Sequence, residues 1–151
     1  MATTQLARTG VTPSRLRQRK LGTKIVSWAA QLGVAAILAQ TLFFKFTYSP
    51  ETAIIFGPRG GRPAATLVGV AELTAVVLLL IPRTAATGAA LTLLVIGGAI
   101  FTHLTSLGIE VNGDGGLLFG LALAVAVGSL IVLALRWRQL PFVSCETERN
   151  T

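Results

Sequence analysis

The chain has 151 residues, 52% of them hydrophobic and only 13% charged, with a mean hydropathy of +0.71. A soluble domain carries about a quarter charged residues, so this composition excludes an ordinary globular enzyme and indicates a polytopic membrane protein. The net charge of +7 does not indicate nucleic acid, because the basic residues flank apolar runs and there face the lipid bilayer.

Residues 1–23 form a basic polar tail, expected to be largely disordered, with at most a short interfacial helix from Arg15 onward. The first apolar run, residues 25–44, is longer than a signal-peptide core. Aromatic residues follow it instead of a small-residue cleavage site, so it reads as an uncleaved span over residues 24–44. Residues 45–62, with Pro50, Gly57, Pro58, Gly60 and Gly61, read as the longest connection. A second span over 63–81 is stopped by Pro82, and Pro82-Arg83 makes a tight turn into a third over 84–107. Asn112-Gly113-Asp114 is a turn signal, with Asp114 placed to N-cap a fourth span over 115–135. Residues 136–151 form a polar tail with the single cysteine, Cys145. One cysteine excludes an internal disulfide and a zinc or iron–sulfur site within the chain, so no metal is expected. About 20 helical residues cross the ~30 Å hydrocarbon core. The expected fold is therefore all-α, a single domain with four transmembrane helices in a bundle.

With the N-terminus cytoplasmic, Arg8, Arg15, Arg17, Arg19, Lys20, Lys24, Arg83, Arg136, Arg138 and Arg149 lie inside. Lys45, Arg59 and Arg62 lie outside. Ten against three favours both termini in the cytoplasm by the positive-inside rule, and Trp28 and Trp137 then share the cytoplasmic interface. Helix packing is expected at small residues. Gly116, Gly120, Ala124 and Gly128 recur every four residues on the fourth span, and Gly69 shares a face of the second with Ala65, Glu72 and Val76.

Glu72 interrupts the apolar run 64–81, where a carboxylate costs on the order of 3 kcal/mol to insert and is kept mainly where it faces protein or water. Depth groups it with other polar residues. At ~1.5 Å per residue, Gln40 and Thr41 lie about 6–8 Å inside Lys45, Glu72 about 13 Å below Pro63, and Thr102 and His103 about 6–8 Å below Leu107. Gln40, Lys45, Glu72, Thr102 and His103 are thus candidate ligand-binding residues of one outer-half pocket. Lys45 is read either as snorkelling to headgroups or as a partner of Glu72. Glu72 is either neutral and hydrogen-bonded, or ionised and paired with Lys45 or a protonated His103.

Three segments resemble the DoxX and DoxX-like family of small four-helix membrane proteins. Phe43-Phe44-Lys45-Phe46 is similar to the family's lysine signature at the end of the first span. Gly69-Val70-Ala71-Glu72-Leu73, followed by Leu78-Leu79-Leu80-Ile81-Pro82, resembles its glycine–glutamate–leucine motif and proline-stopped second span. Gly97-Gly98-Ala99-Ile100-Phe101-Thr102-His103-Leu104 resembles the polar end of its third. The likeness covers about residues 24–135, with Leu42 standing where many members have glycine. It implies a bacterial-type inner-membrane subunit whose relatives include the membrane subunit of a thiosulfate:quinone oxidoreductase. A quinone or similar lipid-like molecule would then be the ligand, Glu72 a catalytic proton relay, and the electron-carrying group would sit on a redox partner protein. Two rivals stand beside this reading: an assembly subunit of a larger membrane complex or homo-oligomer, and a small-solute or proton-coupled exporter.

Overall fold

The computed structural model describes residues 13–139, and among these every regular element is a helix. Four are long and apolar enough to cross a membrane, over Leu21–Thr47, Gly61–Leu80, Ala85–Leu107 and Leu117–Gln139. Residues 1–12 and 140–151, which include Cys145, lie outside the described residues.

Helix α1 runs Pro13–Thr47, so the helix expected from Arg15 starts at Pro13 and continues unbroken into the first span. Proline suits a first helical turn, and residues 14–21 hold no glycine or second proline and are mostly good helix formers, Arg, Leu, Gln and Lys. Tyr48, at φ 54°, ends the helix, and Ser49 is extended as the residue before a proline must be. Ser49 then caps α2, Pro50–Phe56, by accepting the Thr52 N–H at 3.4 Å. Thr52 is buried and its hydroxyl donates to the Phe44 carbonyl at 3.1 Å. The connection expected to be a loop is therefore a short helix and a 3-10 turn, Gly57–Arg59, tied back onto the end of α1. Gly60 and Gly61, at φ 100° and 61°, lead into α3.

Helix α3, Gly61–Leu80, stops where Ile81 becomes extended ahead of Pro82. The Thr84 hydroxyl closes this turn on the Leu78 carbonyl at 2.9 Å. Helix α4, Ala85–Thr102, buries Ala85, Ala86, Gly88 and Ala89 in its first turns. There α3 and α4 touch backbone to backbone: a Cβ on Gly88 would overlap the Leu79 nitrogen and lie 2.8 Å from the Leu78 carbonyl carbon. At its far end α4 widens into a π turn, His103–Leu107, closed by the Gly108 N–H on the His103 carbonyl at 2.9 Å. Helix α5, Leu117–Arg136, starts over Asp114, whose carboxylate accepts the N–H groups of Val111 (2.8 Å), Gly116 (3.0 Å) and Leu118 (2.8 Å).

The long helices pack in the ring α1–α3–α4–α5 and back to α1, around Val34, Leu38, Leu79, Ile96, Val125 and Val132. Phe43, Leu67, Leu94 and Leu117 point outward, each more than 60% exposed. An apolar exterior of this kind calls for a hydrocarbon surround. The start of α1, the α3–α4 turn and the end of α5 share one end of the bundle, called here the basic end. The opposite end holds α2 and the α4–α5 loop.

The seam expected on the fourth span lies elsewhere. Helix α5 buries Ala122, Val125, Ser129 and Val132, whereas Gly120 and Ala124 are exposed and a Cβ on Gly120 would meet nothing within 4 Å. Gly128 does sit at a helix contact, since a Cβ there would lie 2.6 Å from Val34 Cγ2. Gly69 packs under the Phe46 ring, 3.2 Å from where its Cβ would be. Gly116 is a turn residue at φ 83°. Four-residue spacing fixes that these positions share a stripe, but not which way the stripe faces.

Candidate functional site

Glu72 is 4% exposed on the inner face of α3. Its Oε2 lies 2.9 Å from Lys45 Nζ on α1 and accepts the Thr41 hydroxyl, one helical turn away, at 3.2 Å. Thr41 also reaches the Leu38 carbonyl at 2.9 Å. A carboxylate this buried, with an ammonium and a hydroxyl on one oxygen, has the partners an ionised group needs away from water. Lys45–Glu72 is the salt bridge found among the described residues, and Gly69, without a side chain, lets Phe46 and Lys45 approach α3 closely enough to form it.

The pair stands on the wall of a cavity of about 530 Å³, within the usual range for small-molecule sites. Thr41, Lys45, Glu72, Thr102 and His103 all line it. His103, 6% exposed, is held by its Nδ1, 2.9 Å from the Gly108 carbonyl, and by an edge contact with Phe119. A carbonyl only accepts, so Nδ1 carries the proton and a neutral ring keeps Nε2 as an acceptor. The π turn that begins at His103 brings the Gly108 carbonyl round to this nitrogen, a use of irregular helix common at functional sites. Thr102 donates its hydroxyl to the Gly98 carbonyl of its own helix at 2.8 Å.

Gln40 departs from the expected set. It is exposed and does not line the cavity, because one residue on a helix turns the side chain by about 100° and Thr41 takes the inward position. In its place comes Arg59, from the connection that composition marked as a loop. Arg59 lines the cavity and donates Nη1 to the Ile55 carbonyl at 2.8 Å. With Lys45 and Glu72 neutralising each other, Arg59 leaves the cavity with a net positive wall.

The cavity also reaches the lipid-facing surface. Leu67 of α3 and Leu94 of α4 line it while being 72% and 75% exposed. The α3–α4 contact at Gly88 closes these two helices at the basic end; toward the other end they part, and Gly98, with nothing within 4 Å of an added Cβ, lies on the opening. Between the cavity and the basic end lie Val34, Leu79, Val125 and Val132, all 3% exposed or less.

Two carboxylates lie outside the spans in the connections at the cavity end, and both are held below the ordinary carboxylate range. The Glu51 carboxyl sits below its ordinary range because its own backbone N–H bonds to it, with the Ser49 hydroxyl and the Asn112 amide adding to the effect. Asp114 is lowered by the N–H groups of Leu118, Val111 and Gly116, with nearby His103 contributing. Among the described residues no three His, Cys, Asp or Glu side chains gather as a metal-binding group. Compared with protein-family models, curated proteins and solved structures, the chain matches none.

Proposed function

We propose that this chain is a membrane subunit that binds a quinone or a similar lipid-soluble molecule in the cavity between α1, α3 and α4 and works with a redox partner protein. The observation that carries the reading is a buried ion pair on the wall of a cavity that reaches the lipid-facing surface. A ligand dissolved in the bilayer would enter between Leu67 and Leu94 without crossing water. Its oxygen-bearing head would meet Lys45 Nζ, which has two N–H groups left beyond the one directed at Glu72. His103 Nε2 would accept from a hydroxyl, and Arg59 would face the head from the mouth. Glu72 Oε2, on the cavity wall against Lys45 Nζ and the Thr41 hydroxyl, is the atom placed to take or return a proton. Electrons would come from the partner.

The resemblance to DoxX-like proteins supports the same reading. The distribution of basic residues supports an orientation with both termini in the cytoplasm of a bacterial-type cell, which puts the cavity near the outer leaflet. The tightly packed layer beneath the cavity favours binding over passage of a solute from face to face. Extraction in mild detergent, followed by identification of the small molecule that accompanies the protein, tests the proposal. Wild type should carry a lipid-soluble molecule and Ala99→Phe, whose ring fills the cavity, should come without it. The same molecule at the same level in both would defeat the reading.

A further inference from the structure

At the basic end, α1, the Pro82-Arg83 turn and the end of α5 enclose a notch of about 1040 Å³, lined by Lys24, Ser27, Trp28, Arg83 and Arg136 among others. Arg136 is fixed across it. Its Nε donates to Ser27 Oγ at 2.7 Å and its Nη1 to the Pro82 carbonyl at 2.9 Å, while buried Gln31 donates its Nε2 to the same Ser27 oxygen at 2.7 Å. These partners are neutral. They orient the guanidinium without cancelling its charge and leave it three further N–H groups.

Among the described residues no acid stands nearby to cancel it. The four acidic residues among the described ones, Glu51, Glu72, Glu110 and Asp114, all belong to the cavity end. Lys24, Arg83 and Arg136 therefore converge on one notch with no ion pair among the described residues. Trp28, 38% exposed on the rim, has the amphipathic ring that settles at headgroup level.

We infer that this notch is a binding site for the phosphate of an anionic phospholipid headgroup. Three cations and an indole N–H, at the mouth of apolar helices, match a phosphate diester attached to acyl chains that run down the outside of the bundle. Basic pockets between spans recognise anionic headgroups in this way. A pre-oriented Arg adds planar, paired hydrogen bonding to phosphate oxygens. The lipid is the source that fits, because a soluble phosphate would gain nothing from the apolar flank. This site stands independently of the quinone reading.

The test is equilibrium binding, with thermal stability alongside, of phosphatidylglycerol, phosphatidylcholine and inorganic phosphate to the full chain in detergent. Lys24→Gln/Arg83→Gln is compared with the charge-matched Arg17→Gln/Arg138→Gln, whose positions lie outside the notch. Arg136 is left in place because it also ties three segments together. Phosphatidylglycerol should bind and stabilise wild type in preference to phosphatidylcholine. At about fivefold per cation, Lys24→Gln/Arg83→Gln should weaken that binding roughly 30-fold with the unliganded melting temperature unchanged. The control pair should keep most of the affinity. Equal binding of phosphatidylcholine, an equal effect of inorganic phosphate at the same concentration, or equal losses in both double variants would each overturn the inference.

Discussion

At one end of the bundle α3 and α4 stand apart, and an ammonium and a carboxylate face each other inside the gap. At the other end the same two helices touch through Gly88 and Leu79, and among the described residues a guanidinium is held by neutral oxygens. The first arrangement neutralises charge within the protein and leaves space beside it. The second leaves no space between the helices and turns its charge toward the surroundings. In a membrane these are two solutions to the same cost, since a charged group must be paired inside the protein or kept where headgroups and water reach it. On the two proposals above, the open end would take a ligand of the hydrocarbon phase and the closed end one of the interface.

The largest effect is expected at Gly88, where the closed end has no room for a side chain. A leucine there collides with backbone, which no side-chain rotation relieves, so Gly88→Leu should cost about 3 kcal/mol or more, and little monodisperse protein should be recovered in detergent. Recovery at the wild-type level would mean that the closed end can open. Next comes Lys45→Gln, which strands a buried carboxylate. A loss of about 3 kcal/mol at neutral pH is expected, read as a lower melting temperature, with much of it regained in Lys45→Gln/Glu72→Gln.

A smaller effect belongs to Asp114, at the start of α5. Its folded pKa lies below the ordinary carboxylate value, so its contribution is fully present above about pH 4 and is lost as pH falls through the depressed value. Melting temperature should therefore decline below about pH 4 in wild type and decline less steeply in Asp114→Asn, which starts lower at neutral pH. Parallel curves would contradict the capping role. Gly120→Leu should change stability least, within about 0.5 kcal/mol, since the position is exposed and open. A large loss would indicate that a neighbouring molecule covers this face.

Particular residues show which features of the fold and the site are legible in the sequence. The four spans were legible because each is an apolar run of bilayer length bounded by Pro, Gly or charge. Glu72 stood out as a lone acid in such a run, and axial depth alone set it beside Lys45, Thr102 and His103, which all line one cavity. Depth gives no azimuth, however, and the choice between adjacent Gln40 and Thr41 depends on a rotation of about 100° that helix packing fixes. The same ambiguity hid the true contact face of α5. Small residues mark close approach only where a neighbour is present, and Val125, Ser129 and Val132 carry the contact instead. Arg59 was missed because the prolines and glycines around it read as loop. Yet Ser49-Pro50-Glu51, a cap, a proline and a first-turn acid, is a helix-start signal that was there to be read. The clamp of Arg136 on Ser27 and Pro82 joins positions 109 and 54 residues apart, and no local pattern announces it.

Recognition of a lipid-soluble head by the polar end of the cavity is tested most directly by equilibrium binding of a quinone to wild type and to Lys45→Gln/Glu72→Gln in lipid nanodiscs, with melting temperatures measured in parallel. The double variant removes both charges together, so it should fold with stability close to wild type. It should bind the quinone at least about tenfold more weakly, the loss of one charge-assisted hydrogen bond. Wild-type affinity in a folded double variant would contradict the claim and leave the ion pair as a clamp between α1 and α3.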